Sequence, residues 1–230
     1  MTDVLIMGAS WAPEQNPVTK MFADALDSDR FSPRMVAYSG TSASGRAELI
    51  CEVTRSRGPV VLAGYAQGAA IAGDVAAAAC RGEVPGAGIV GCALISDPYR
   101  PAGMSIGPDP GGCGILGQRR IDAVPAYWVA VRGDFTTALR EDSSLRMTAE
   151  TFEYPDLSTE DEMVDWGRRL VDADIREQLR KYPFGLRMWH SRGAELSRVS
   201  AYLFTKQYID EYLSEAVSLA EVINRELTIA

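Results

Sequence analysis

Val60-Val61-Leu62-Ala63-Gly64-Tyr65-Ala66-Gln67-Gly68-Ala69-Ala70-Ile71 is the stretch whose reading decides the fold. Val60 to Gly64 is an unbroken apolar run, the mark of a strand buried on both faces as in a parallel sheet. It passes with almost no spacer into an Ala-rich segment, Ala69 to Cys80, which reads as a helix stopped at Arg81-Gly82. A strand that turns so directly into a helix needs a tight bend. Gly64 and Gly68 flank that bend, where a side chain would collide with the neighbouring strand and helix. Position 66, between them, is pushed out above the carboxyl edge of the sheet.

Further strands and helices alternate around this unit. Val4-Leu5-Ile6-Met7 before Gly8 predicts a first buried strand, and Val36-Ala37-Tyr38 a weaker one ended by Ser39-Gly40. Ser42 to Arg57 predicts a helix closed by Gly58-Pro59, with further strands over Gly88 to Ile95 and Ala126 to Val131. This alternation implies α/β class, with a mostly parallel sheet covered by helices on both faces and one domain over 1–230. Asp97 to Asp122 is crowded with Pro and Gly, a surface excursion of the length that is usually functional or mobile. Two amphipathic helices follow. Met163, Val164, Leu170, Val171, Ile175 and Leu179 form the stripe of the first, a helical insertion over 158–181 and a candidate lid. Leu196, Val199, Leu203, Tyr212, Leu213, Ala220, Ile223 and Leu227 form that of the second. Both are expected to pack on the sheet and on each other.

Composition narrows the function. The 230 residues are 47% hydrophobic and carry a net charge of -8, which argues against nucleic acid as a partner. No apolar run is long enough for a transmembrane helix, and no basic-then-apolar leader opens the chain. Synthesis in a cytoplasm without a signal peptide is therefore expected. Cys51, Cys80, Cys92 and Cys113 include no C-x-x-C pair, and His190 is the sole histidine, so no metal site and no cofactor are expected. Four buried free thiols are the expectation, with a Cys92–Cys113 pair left open.

Gly64-Tyr65-Ala66-Gln67-Gly68 sits where α/β-hydrolases carry the G-x-S-x-G nucleophile elbow. All of that motif is present except the oxygen, since position 66 is alanine. The fold then expects an acid after a later strand and a histidine nearer the C-terminus. Asp134 follows Val131-Arg132-Gly133, and His190 follows Met188-Trp189, so Ala66, Asp134 and His190 stand in hydrolase order. A local cap at Asp134 and a structural role for His190 are the plainer alternatives. Backbone N–H groups of Gln67 and of Ala9 or Ser10 are the candidate oxyanion donors. Gly112 to Gly117 fits G-x-G-x-x-G, but no strand precedes it and no clear helix follows, so a dinucleotide site is rejected.

Gly64-Tyr65-Ala66-Gln67-Gly68-Ala69 resembles the G-Y-S-Q-G-A elbow of cutinase-like serine esterases, and in particular of lysin B, the mycolylarabinogalactan esterase of phages that infect mycobacteria and their relatives. Ser96-Asp97-Pro98-Tyr99-Arg100 is similar to the family's G-N-P-x-R segment. Gly112-Cys113-Gly114-Ile115-Leu116-Gly117 resembles its G-x-G-I-x-G loop, and Arg132-Gly133-Asp134 the G-D that carries its acid. The likeness runs as scattered motifs from about residue 4 to about residue 205. It departs at Ala66, and at Ala9-Ser10, where the family sets a hydroxyl residue directly after the glycine. The resemblance implies a three-layer α/β-hydrolase fold and, in the serine form, hydrolysis of the ester joining mycolic acid to arabinogalactan during phage lysis. A lipid ester of the cell envelope is then the implied partner. Phe135, Trp166, Tyr182, Phe184, Met188 and Trp189 are candidates for an acyl groove or for ordinary core. Two readings of the alanine stay open: a deliberate replacement that silences an active esterase, or a natural pseudoenzyme acting as an envelope-binding or virion structural protein. Another cutinase-like esterase or a thioesterase is the further alternative.

Overall fold

Side-chain alternation along the strands builds the layers. A computed structural model describes residues 1–9, 16–39, 41–84, 88–151, 160–181 and 207–227. Strands β1 (Thr2–Met7), β2 (Phe31–Met35), β3 (Val60–Tyr65), β4 (Ile89–Ile95) and β5 (Ala126–Val129) form one sheet in the order β2-β1-β3-β4-β5. Every pairing is parallel. Successive strand residues point to opposite faces. Val4 and Ile6, Val61 and Ala63, and Ala93 and Ile95 therefore pack on helices α1 (Pro17–Asp24) and α6 (Gln207–Glu226). Leu5 and Met7, Leu62, and Cys92 and Leu94 pack on the other side against α2 (Ser42–Arg55) and α3 (Gln67–Cys80). The result is the expected three-layer α/β arrangement around a parallel sheet.

The central strand β3 is buried along its whole length, as its unbroken apolar run requires. The edge strand β2 is not, and it lies five residues before the predicted Val36–Tyr38. Its Ser32, Pro33 and Arg34 are polar or lack an N–H, which only an edge position tolerates. The apolar signal downstream is genuine burial: Val36 N–H still donates to the Ile6 carbonyl at 2.9 Å, beyond the end of the strand. Helix α1 was not expected from periodicity. Its start is written in Asn16-Pro17, where the Asn16 carboxamide oxygen accepts from the Val18 N–H at 2.9 Å and proline takes the first helical position.

The remaining helices are α4 (Ser144–Thr151) and α5 (Glu160–Lys181). Helix α5 packs on α4, whereas α6 packs chiefly on α1 and on the β4–β5 end of the sheet. Trp166 and Leu170 of α5 share one core cluster with Tyr212 and Ala216 of α6, and Leu196, Val199 and Leu203 of the second predicted stripe lie outside the described residues. The four cysteines are free thiols, with Cys92 and Cys113 buried and Cys51 and Cys80 only partly so. Burial pushes the Cys92 thiol well above its ordinary value. No described helix is long and apolar enough to cross a membrane.

The excursion after β4 is bound down by arginines. Arg100 is 0% exposed. It donates to the carbonyls of Thr137 at 2.9 Å, Met104 at 3.1 Å, Gly111 at 2.7 Å and Gly112 at 2.9 Å. Arg119 bridges the buried carboxylate of Asp97 at 2.6 Å and that of Asp74 at 2.7 Å. Its guanidinium also stacks over the Tyr99 ring at 4.8 Å. A side chain at Gly73 would run into this guanidinium, with a Cβ only 2.5 Å from Arg119 Cζ.

Candidate functional site

In an open parallel sheet the binding crevice lies beyond the carboxyl ends of the strands, where the strand order reverses. Here that switch point falls between β1 and β3. Met7 is the register partner of Gly64, so the Gly8-Ala9 turn and the Tyr65-Ala66 bend leave the sheet side by side.

Ala66 carries the bend. Its backbone is at φ 54°, ψ −117°, outside the wells that L-residues favour. Such a conformation costs on the order of 1–3 kcal/mol and is held only by its surroundings. The flanking glycines are required by contact. A Cβ at Gly64 would lie 2.3 Å from the Gly68 carbonyl carbon, and one at Gly68 would lie 2.1 Å from the Met7 carbonyl oxygen. Helix α3 begins at the next residue, with no side-chain cap at Ala66. Its first N–H groups therefore lie at the bend, in the place where an oxyanion would be received. The Ala66 methyl is 8% exposed.

The flanks of the bend are fixed by polar side chains. Gln67 is buried, and its carboxamide N–H donates to Ser42 Oγ at 3.0 Å. The Tyr38 hydroxyl donates to the Gly8 carbonyl at 2.9 Å, with Gln67 Oε1 at 3.4 Å, tying the β1 turn to the start of α3. Ala9, one of the two candidate oxyanion residues on that turn, is buried. Beside Gln67 opens a cavity of about 290 Å³ whose lining includes Ser42, Gln67, Ile71 and Leu116 and the charged Arg46 and Asp74.

Asp134 stands in the turn after β5, beyond Gly133 at φ 93°, and is 0% exposed. Its Oδ1 accepts from the Thr136 N–H at 2.8 Å and from Thr136 Oγ1 at 2.6 Å. Its Oδ2 accepts from Ser96 Oγ at 2.8 Å and from the Tyr212 hydroxyl through a short bond. Ser96 immediately follows β4, the strand between those of Ala66 and Asp134, and also has φ 54°. Tyr212 reaches in from α6, and its ring packs edge-on against that of Tyr65 at 5.8 Å. Burial, and then the adjacent Asp134 carboxylate, push the Tyr212 phenol well above its ordinary value.

Sequence reasoning missed Ser96 and Tyr212 as members of this cluster. His190, Ser10, Tyr182, Phe184, Met188 and Trp189 lie outside the described residues. Phe135 and Trp166 belong to the core, where their rings stack at a centroid distance of 6.2 Å. The Gly112-to-Gly117 run also has a structural account. The N–H groups of Cys113, Gly114, Ile115, Leu116 and Gly117 all donate to backbone carbonyls, at 2.8–3.2 Å. The carbonyls of Gly114, Ile115 and Cys113 accept from Arg146. These five N–H groups are thus committed and cannot cradle a phosphate, which counts against the dinucleotide reading.

No family model matches the chain, and no curated protein matches it. Among solved structures, a cutinase-like protein from Cryptococcus sp. is similar to it at 16% identity and a TM-score of 0.48, over 60% of this chain and 79% of that one.

Proposed function

We propose that this chain is an esterase scaffold of the lysin B type that engages a long-chain acyl ester of a mycobacterial-type cell envelope without cleaving it. The observation that carries the reading is Ala66, a methyl group held in the strained bend where a hydrolase presents its nucleophile. In a lysin B esterase with serine at this position, a histidine accepts the hydroxyl proton and an acid holds the imidazole, roles for which His190 and Asp134 are the candidates. The N–H groups of Gln67 and of Ala9 or Ser10 would stabilise the tetrahedral oxyanion. Alanine supplies no attacking oxygen, and losing the nucleophile of such a triad costs on the order of a millionfold in turnover. Binding and oxyanion stabilisation remain. The cavity beside Gln67, part polar and part apolar, suits the carbonyl end of a lipid ester. This role places the protein at the cell envelope or in a virion that meets it.

A second reading, an active esterase silenced by replacement of its serine, is favoured by the backbone at 66. The strain at Ala66 and the close approaches at Gly64 and Gly68 are kept although alanine makes no use of them.

Co-sedimentation with insoluble mycolyl-arabinogalactan tests the proposal. The unaltered chain is expected to pellet with the mycolylated polymer, to stay in solution with the saponified polymer, and to release no free mycolic acid. Equal pelleting with both polymers, pelleting with neither, or release of mycolic acid would overturn it.

A further inference from the structure

An ionised carboxylate offers about four acceptor positions, two on each oxygen. Asp134 has all four filled from within the protein: Thr136 N–H and Thr136 Oγ1 on Oδ1, Ser96 Oγ and the Tyr212 hydroxyl on Oδ2. A triad acid must keep one of these positions for the N–H of its imidazole. Three of the four donors come from residues at the carboxyl edge of the sheet near Asp134. The fourth comes from α6, 78 positions away, and is the one donor that the local turn does not supply. Tyr212 is 0% exposed. Its hydroxyl also has the Val131 N–H and Thr137 Oγ1 at 3.4 Å, so a set of backbone and side-chain groups holds it on the carboxylate.

We infer that Tyr212 is a blocking residue: its hydroxyl occupies the acceptor position on Asp134 that a catalytic imidazole would need. The inference rests on the reading of this site as an esterase scaffold. It implies that the scaffold is disabled twice, once at Ala66 and once at Asp134, and that restoring the serine alone does not restore a working triad. Tyr212 is a positioning residue in this account, acting on any ester only through Asp134.

His190 is the sole histidine, so its imidazole can be titrated by nuclear magnetic resonance without ambiguity. In the unaltered chain Asp134→Asn is expected to leave its pKa unmoved. In Tyr212→Phe, where Oδ2 is freed, it is expected to rise by about one unit or more, as an imidazolium beside a carboxylate does. Hydrolysis of p-nitrophenyl butyrate provides the second readout. Ala66→Ser/Tyr212→Phe is expected to exceed Ala66→Ser in kcat/KM by about 100-fold, the low end of general-base catalysis. A raised pKa in the unaltered chain that Asp134→Asn lowers would overturn the inference, and that arm needs no change at Tyr212. It fails equally if the imidazole ignores Tyr212→Phe, or if Ala66→Ser alone matches the folded double variant. Polymer binding by the unaltered chain uses none of these variants, so its outcome bears on the binding proposal separately.

Discussion

Ala66 and Ser96 leave neighbouring parallel strands with the same backbone torsion, φ 54° in each, just after the register partners Tyr65 and Ile95. Neither is glycine, so the carboxyl edge of the sheet carries two strained positions side by side. Ala66→Gly relieves the strain and removes no side-chain hydrogen bond, although glycine gains freedom in the unfolded chain. The balance is a gain of about 1 kcal/mol in unfolding free energy, read from urea denaturation. Ser96→Gly is expected to gain less, because it also removes a donor from Asp134.

Gly68→Ala goes the other way. Its Cβ would stand 2.1 Å from the Met7 carbonyl oxygen and 2.4 Å from that of Gly8, both backbone atoms that cannot swing aside. A loss of roughly 4 kcal/mol or more is expected, seen as a large fall in Tm or as failure to accumulate in soluble form.

Arg100→Ala removes a buried guanidinium and leaves the carbonyls of Thr137, Met104, Gly111 and Gly112 short of a donor. The expected cost is about 3 kcal/mol. Limited proteolysis is expected to cut between residues 101 and 118 while the sheet survives. Arg100→Lys is not expected to rescue it, because an ammonium cannot span carbonyls that a planar fork reaches together.

The Tyr212 phenol titrates higher in the folded chain than in the unfolded one, through burial and the neighbouring Asp134 carboxylate. A raised folded value contributes stability below the unfolded pKa and loses it as pH rises. Above about pH 10, where an unfolded tyrosine ionises, unfolding free energy should fall with a contribution from this group of about 1.4 kcal/mol per pH unit. Tyr212→Phe should show a shallower alkaline slope in pH-dependent urea unfolding. An unchanged slope would separate Tyr212 from the effect.

Ser96 follows the strand next to that of Ala66, yet it is 4% exposed and its proton is committed to Asp134. A fluorophosphonate probe is expected to label neither the unaltered chain nor Ser96→Ala. Mass spectrometry showing an adduct in the first and none in the second would make Ser96 a nucleophile.

Much of the fold was legible because its central strands are buried on both faces and so read as apolar runs, Val60–Gly64 above all. The edge was less so. Ser32-Pro33-Arg34 has the composition of a loop, since an edge strand needs neither a full set of N–H donors nor two apolar faces. Helix α1 is too short for periodicity to find, although the Asn16-Pro17 cap announced it. At the site, the bend and its glycines could be read locally, and Asp134 from its place after a strand. Tyr212 could not. It is one more large residue on the apolar stripe of α6, and only the three-dimensional packing brings its hydroxyl to a carboxylate 78 positions earlier. Ser96 left a fainter trace, since nothing local marks a serine for the positive φ that it adopts.

Asp97 accepts both from Arg119, at the far end of the excursion after β4, and from the indole N–H of Trp128 in β5, at 2.6 and 2.9 Å. One carboxylate therefore rivets that excursion to the sheet itself, and the two must come apart in a single cooperative event. On this side the crevice has a fixed rim instead of a hinged door.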